Sequence, residues 1–151
     1  MSSKGSNKRS SNGNGHTISV MLVDDDPALL RIMKKLLRQE YRKKVDIVGT
    51  ASSAEECLSL AQVFIPQVVL MDLNTPGLSG LGTIPLLHIL FPEMRVIALA
   101  FDGSQKVRQA VLGAGGSDLI DKSNLDTYLI PAIEWAMEQD LTDSLMLPVT
   151  V

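Results

Sequence analysis

Cysteine is nearly absent from this 151-residue chain: Cys57 stands alone, so no disulfide can form within it, and a single thiol suits a reducing, cytoplasmic setting. Histidine is almost as scarce. With only His16 and His88, a zinc site is not expected. No apolar stretch reaches the length needed to cross a bilayer, and residues 1–16 lack the apolar core of a secretory signal, so no membrane partner is expected. Those first residues also contain no acid. They hold Lys4, Lys8 and Arg9 among Ser, Gly and Asn, a composition that cannot bury enough surface to offset chain ordering, and a disordered tail is expected over 1–16. Removing those three bases from the total of 14 leaves 11 against all 17 acids, a net of about −6, which is not a nucleic-acid footprint. The remaining bases cluster in Arg31, Lys34, Lys35, Arg38, Arg42, Lys43 and Lys44, expected to be a solvated helix face and its exit rather than a docking patch.

What the chain does have is ordinary globular composition, 45% hydrophobic and 21% charged, at a length suited to one domain. From residue 17 onward, apolar runs alternate with helical periodicity. Strands are expected at 18–23, 45–48, 67–71, 96–99 and 119–120. Helices are expected at about 27–40, 53–63, around Leu86, Leu87 and Leu90, at 104–112 ending at Gly113, and from Leu125 to about Glu138. Pro85 predicts a late start or a kink in the third helix, and the leucine stripe beside it is expected to be core. Cys57 is expected to pack as a small hydrophobe. The strands are almost wholly apolar, which predicts an α/β fold: a doubly wound, five-stranded parallel sheet, flavodoxin-like (βα)5, covered by helices on both faces. The ordered unit is expected over 17–140, with 141–151 a C-terminal extension or the start of a linker.

In such folds ligands bind beyond the carboxyl ends of the strands. Asp24-Asp25-Asp26 follow the first strand, Asp72 the third, Ala100 the fourth and Lys122 the fifth. Like charges gathered at one point cost free energy unless a cation compensates them. Carboxylates are hard oxygen ligands suited to Mg²⁺, and a lysine is a compact charge suited to a phosphate oxygen. Together they describe a site for phosphoryl transfer with a carboxylate nucleophile, for which Asp72 is the best candidate. Asp26, followed by Pro27, reads as a helix N-cap instead.

Four segments, LVDDDP (22–27), VVLMDLNTPGLSG (68–80), VIALA (96–100) and LGAGGSDLIDK (112–122), resemble in order and spacing the receiver domain of two-component response regulators. The resemblance covers about residues 17–140. It implies that Asp72 is the phosphoacceptor, with Asp25 a direct Mg²⁺ ligand and Asp24 beside it acting through metal-bound water. The backbone carbonyl of Asn74 is implied as a further ligand, and Lys122 as the partner of the phosphoryl group. Pro76 and Gly80 match the loop after the phosphoacceptor. The implied partners are a sensor histidine kinase and a second copy of the chain through the fourth and fifth β–α units. DNA enters only through an output domain outside this chain. Ser123, where many members have proline, resembles the subfamily fused to LuxR/NarL-type DNA-binding domains. A receiver assists its own phosphorylation and dephosphorylation and is not a turnover enzyme.

Two positions depart from the pattern. The family usually has Ser or Thr where this chain has Ala100, and an aromatic residue where it has Leu119. Both departures favour a competing expectation, a phosphorylation-independent interaction domain. A third expectation, an aspartyl phosphatase of the haloacid-dehalogenase type, reads Asp24-Asp25-Asp26 as its D-x-D motif but lacks a later acidic metal motif.

Overall fold

The computed structural model describes residues 17–41, 44–74 and 80–145. The expected tail over 1–16, Arg42, Lys43, Pro76 and the end of the chain after Leu145 lie outside these residues. Five strands, β1 (Ile18–Val23), β2 (Val45–Ala51), β3 (Val68–Asp72), β4 (Arg95–Ala100) and β5 (Asp118–Asp121), alternate with five helices. The helices are α1 (Pro27–Tyr41), α2 (Ala54–Phe64), α3 (Gly80–Leu90), α4 (Gln105–Ala114) and α5 (Leu125–Leu145), the last entered through a 3₁₀ turn at Lys122–Asn124. All strand pairs are parallel, in the order β2-β1-β3-β4-β5. This is the flavodoxin-like order, whose topological switch point lies between β1 and β3.

Strand periodicity divides the core into two layers, because successive side chains point to opposite faces of the sheet. Val20, Leu22, Val68, Leu70, Ile97, Leu99 and Ile120 pack with Met33 and Leu37 of α1 and Leu129 and Ile133 of α5. Met21, Val23, Val69, Met71, Val96, Ala98, Ala100 and Leu119 pack with Cys57 and Ala61 of α2, Ile84 and Leu87 of α3 and Val111 of α4. A strand buried on both faces needs apolar residues at every position. The apolar runs therefore end where the strands reach the edge of the sheet, and the acids begin there.

Local signals explain most boundaries. Asp26 caps α1: its Oδ1 accepts from Ala28 N at 2.9 Å. Ser53 caps α2 by accepting from Glu56 N at 3.1 Å. Four expectations are corrected. Helix α4 does not stop at Gly113 but at Gly115, which takes φ 107° and donates its N–H toward the Leu112 carbonyl. Helix α3 begins at Gly80, five residues before Pro85, and carries the proline inside it. Of the leucine stripe only Leu87 is core; Leu86 and Leu90 are exposed, since one face of α3 suffices to cover the sheet. Helix α5 also runs beyond Glu138 to Leu145, past residue 140. Among the described residues, no helix is long and apolar enough to cross a membrane.

Candidate functional site

Parallel strands that end together deliver their C-terminal residues to one edge. Asp24 directly follows β1, Asp72 closes β3, and Lys122 directly follows β5. The Lys122 ammonium lies 2.8 Å from Asp72 Oδ1 and 3.1 Å from Asp24 Oδ2. All three groups are withdrawn from water: the Lys122 side chain is 5% exposed, that of Asp24 0% and that of Asp72 2%. Asp25 is exposed, yet one oxygen from each of Asp24, Asp25 and Asp72 lies within 4.8 Å of the others. The expected constellation is thus assembled at the switch point.

The surrounding backbone fixes these carboxylates. Asp24 Oδ1 accepts the N–H of Asp26 at 2.9 Å. Asp72 Oδ1 accepts the N–H of Asn74 at 3.2 Å, so the loop after β3 begins folded onto the acid. Gly80 makes this fit. A Cβ there would stand 2.6 Å from the Asp72 carbonyl oxygen and from Leu73 Cα, so only glycine lets the start of α3 pass so close to the strand end. Lys122 is held from the other side by its turn, where Asp121 Oδ1 accepts the Ser123 hydroxyl at 2.6 Å and the Ser123 N–H at 2.9 Å.

The electrostatics are short of positive charge. Burial pushes the Asp24 carboxyl above its ordinary range; the Asp26 N–H and the Lys122 ammonium offset this only in part, and Asp72 adds to the rise. Burial works against the Lys122 charge, but Asp72 and Asp24 outweigh it and hold the ammonium above its usual range. Asp24 Oδ2 is buried and faces the Lys122 ammonium, at 3.1 Å, which it shares with Asp72. Three convergent carboxylates sharing one ammonium are the donor set a hard divalent cation such as Mg²⁺ takes.

Ala100 closes β4 in register with Asp121, buried and without a hydroxyl, and Leu119 lies buried one layer below. Two features of this region escaped the sequence reading. The ring of Phe101, directly after β4, lies over the Lys122 ammonium at 5.3 Å from its centroid, while Phe101 itself is 64% exposed. Arg108 of α4 donates to Asp118 Oδ1 at 2.6 Å and to the Leu119 carbonyl at 3.1 Å, tying α4 to β5. An aromatic residue at the end of an apolar strand was the available signal for the first; the second has none, because it pairs residues of two elements. His88 is exposed, and Cys57 is buried in the α2 layer.

Residues 20–134 match the response regulator receiver domain family. The transcriptional regulatory protein MctR of Rhizobium johnstonii is 33% identical over 117 residues, covering 78% of this chain and 54% of its own length. The nitrate/nitrite response regulator protein NarL of Escherichia coli is 27% identical over 123 residues, covering 82% of this chain and 56% of its own. The chain thus spans about half the length of these curated relatives. Among solved structures, a LuxR-family two-component response regulator from Aurantimonas sp. SI85-9A1 superposes with a TM-score of 0.76 at 27% identity, over 82% of this chain and 87% of that one. With its switch-point acids, its lysine and its sheet order all in place, the chain belongs to the response regulator receiver domain family, as a receiver domain of two-component signalling whose relatives are of the LuxR/NarL type.

Proposed function

We propose that the domain accepts a phosphoryl group on Asp72 from a phosphohistidine of a sensor histidine kinase, in a Mg²⁺-dependent reaction. The observation that carries this is the Lys122 ammonium set between the buried carboxylates of Asp72 and Asp24, with Asp25 beside them. An oxygen of the Asp72 carboxylate attacks phosphorus, and the phosphorus–nitrogen bond breaks with its electron pair passing to the imidazole nitrogen, which takes a proton from solvent. Lys122 then exchanges a carboxylate oxygen for a phosphoryl oxygen, and its charge offsets the gain of negative charge at Asp72. Asp24, Asp25, Asp72 and the backbone carbonyl of Asn74 are the groups that would hold Mg²⁺, which supplies charge neutralisation at the phosphoryl oxygens. Hydrolysis of the acyl phosphate returns Asp72, so the domain is a timed phosphoacceptor rather than a turnover enzyme.

In the whole protein, phosphorylation is read out by a DNA-binding domain outside this chain, with the receiver unit ending in helix α5, which runs to Leu145. Pairing of two copies through the β4–α4 and β5–α5 units is favoured by Tyr128 and Trp135, half-exposed beside Arg108 and Asp118. The setting is cytoplasmic. The test is incubation with Mg²⁺ and acetyl phosphate followed by intact-mass measurement. Wild type gains one phosphoryl group and Asp72→Asn gains none. An unmodified wild type, or an adduct that persists in Asp72→Asn, refutes the assignment and favours an interaction domain that works without phosphate.

A further inference from the structure

Ala100 leaves the β4 side of the pocket without a side-chain hydroxyl for a phosphoryl oxygen, and the next residue is a large apolar one that the core does not need. Phe101 is 64% exposed, although burying such a ring would stabilise the fold. Its partner is the opposite case. The Lys122 side chain is 5% exposed, although the next two residues, Ser123 and Asn124, are exposed. A hidden ammonium thus lies over the face of an open ring, 5.3 Å from its centroid. A ring face attracts a cation, and more strongly as water is excluded from it.

Resting on the phosphoacceptor reading of Asp72, we propose that Phe101 is a positioning residue of the pocket: its ring keeps the Lys122 ammonium desolvated and aimed at the oxygens of the phosphoryl group, in place of the contact that Ala100 cannot make. Two charged partners hold the ammonium before phosphorylation, Asp72 and Asp24. Once Asp72 carries the phosphoryl group, its oxygen at 2.8 Å is no longer a free carboxylate, and the ring contact remains. Lys122 stabilises the charge that builds on the phosphoryl oxygens whichever nucleophile attacks. Loosening it slows phosphoryl transfer to Asp72 and slows hydrolysis, in which water attacks phosphorus, the bond to the Asp72 oxygen breaks and inorganic phosphate leaves. A ring that acted only as a water shield gives the opposite sign for hydrolysis.

The experiment compares wild type with Phe101→Ala, Phe101→Leu and Phe101→Tyr. The exposure of Phe101 means all three fold, which far-UV circular dichroism checks. The readouts are the rate of adduct formation from acetyl phosphate with Mg²⁺, the decay of the adduct after donor removal, and the affinity for beryllofluoride, which reports phosphoryl-site binding without turnover. Loss of an exposed cation–ring contact predicts that Ala and Leu weaken beryllofluoride binding about two- to fivefold and slow both rates by a similar factor, while Tyr stays at the wild-type level. Unchanged values in Ala, full rescue by Leu, or an adduct that decays faster in Ala overturns the role of the ring. A defect seen only with a histidine kinase as donor overturns it as well, and assigns Phe101 to kinase docking. A wild type that neither forms the adduct nor binds beryllofluoride overturns the Asp72 reading itself, a result distinguishable from all of these.

Discussion

Replacing Lys122 by methionine keeps the side-chain stem and removes the one ammonium seen between Asp24 and Asp72. Both carboxylates are almost wholly buried, and the Lys122 side chain is 5% exposed, so solvent screens the contacts little. At an effective dielectric of about 20, charges 2.8 and 3.1 Å apart attract by roughly 5–6 kcal/mol each before desolvation is charged against them. Without the ammonium, two carboxylates no more than 4.8 Å apart repel by roughly 3.5 kcal/mol or more on the same scale. Breaking a buried pair from one side costs about 3–5 kcal/mol in practice, a large share of the stability of a domain this size.

The pH dependence has a definite sign. The Asp24 carboxyl is already held above its ordinary range by burial, and losing Lys122 raises it further. An acid whose folded pKa exceeds its unfolded value contributes stability below the unfolded pKa and loses it as pH rises through the folded one. The deficit of Lys122→Met is therefore smallest in acid, where Asp24 holds a proton, and grows toward neutral pH. Urea unfolding followed by circular dichroism, with EDTA present, measures it: about 3–5 kcal/mol near pH 7.5 and clearly less near pH 4.5. A variant unfolded at pH 7.5 that refolds in acid satisfies the same expectation. A loss below about 1 kcal/mol at pH 7.5, the size of an ordinary surface ion pair, or a loss that does not change with pH, refutes the argument that Lys122 compensates buried charge.

The buried Cys57 thiol is pushed up to about 12 from near 9 by desolvation, so it should resist alkylation at pH 8 in the folded state and react at once in urea. The same rise makes its contribution complete below pH 9 and lost as pH climbs toward 12, so the stability gap between wild type and Cys57→Ala should narrow by about 1.4 kcal/mol from pH 8 to pH 10; a constant gap refutes it. Gly80→Ala puts a Cβ 2.6 Å from two backbone atoms at the end of β3, so it should cost about 1–3 kcal/mol in thermal unfolding and slow adduct formation at Asp72. An unchanged melting temperature would mean that α3 shifts freely.

The sheet and its acidic edge were legible because strands buried on both faces leave little room for polar residues before their ends. In β1 and β3 the apolar run ends at the edge of the sheet, and Asp24 and Asp72 mark that edge as its first charged groups, buried there against Lys122. Lys122 was legible for the same reason after β5. The errors arose where local chemistry left two equal choices. Gly113 and Gly115 both terminate helices well, and the decision fell to Gly116, where a Cβ would meet Val111 Cγ1 at 2.6 Å and which therefore must lie against α4. Pro85 carries the same helix-breaking signal wherever it stands, but the approach of Gly80 to β3 starts α3 before it. Leu86 and Leu90 look like Leu87 in composition, and only the position of the sheet relative to α3 separates them. The Phe101–Lys122 and Arg108–Asp118 contacts join residues of different elements, so no periodicity within one element contains them.

Stability and chemistry in this pocket draw on the same few charges, and that constrains how the domain can respond. Asp24, Asp25 and Asp72 converge with one ammonium, which is too little positive charge for three carboxylates, and burial, which pushes Asp24 up, makes that shortage harder to tolerate. A divalent cation relieves it, and by binding only the folded state it stabilises the fold by mass action. On the proposed function, a phosphoryl group on Asp72 would then add negative charge beside Lys122, and the ammonium would serve it while Asp24 still needs compensation. A Ser or Thr at position 100 would take part of that load with a neutral donor; Ala100 takes none. The load falls on Lys122, the cation and whatever orients the ammonium. For that reason the residue beside Ala100, and not Ala100 itself, is where the strength of this pocket is tuned.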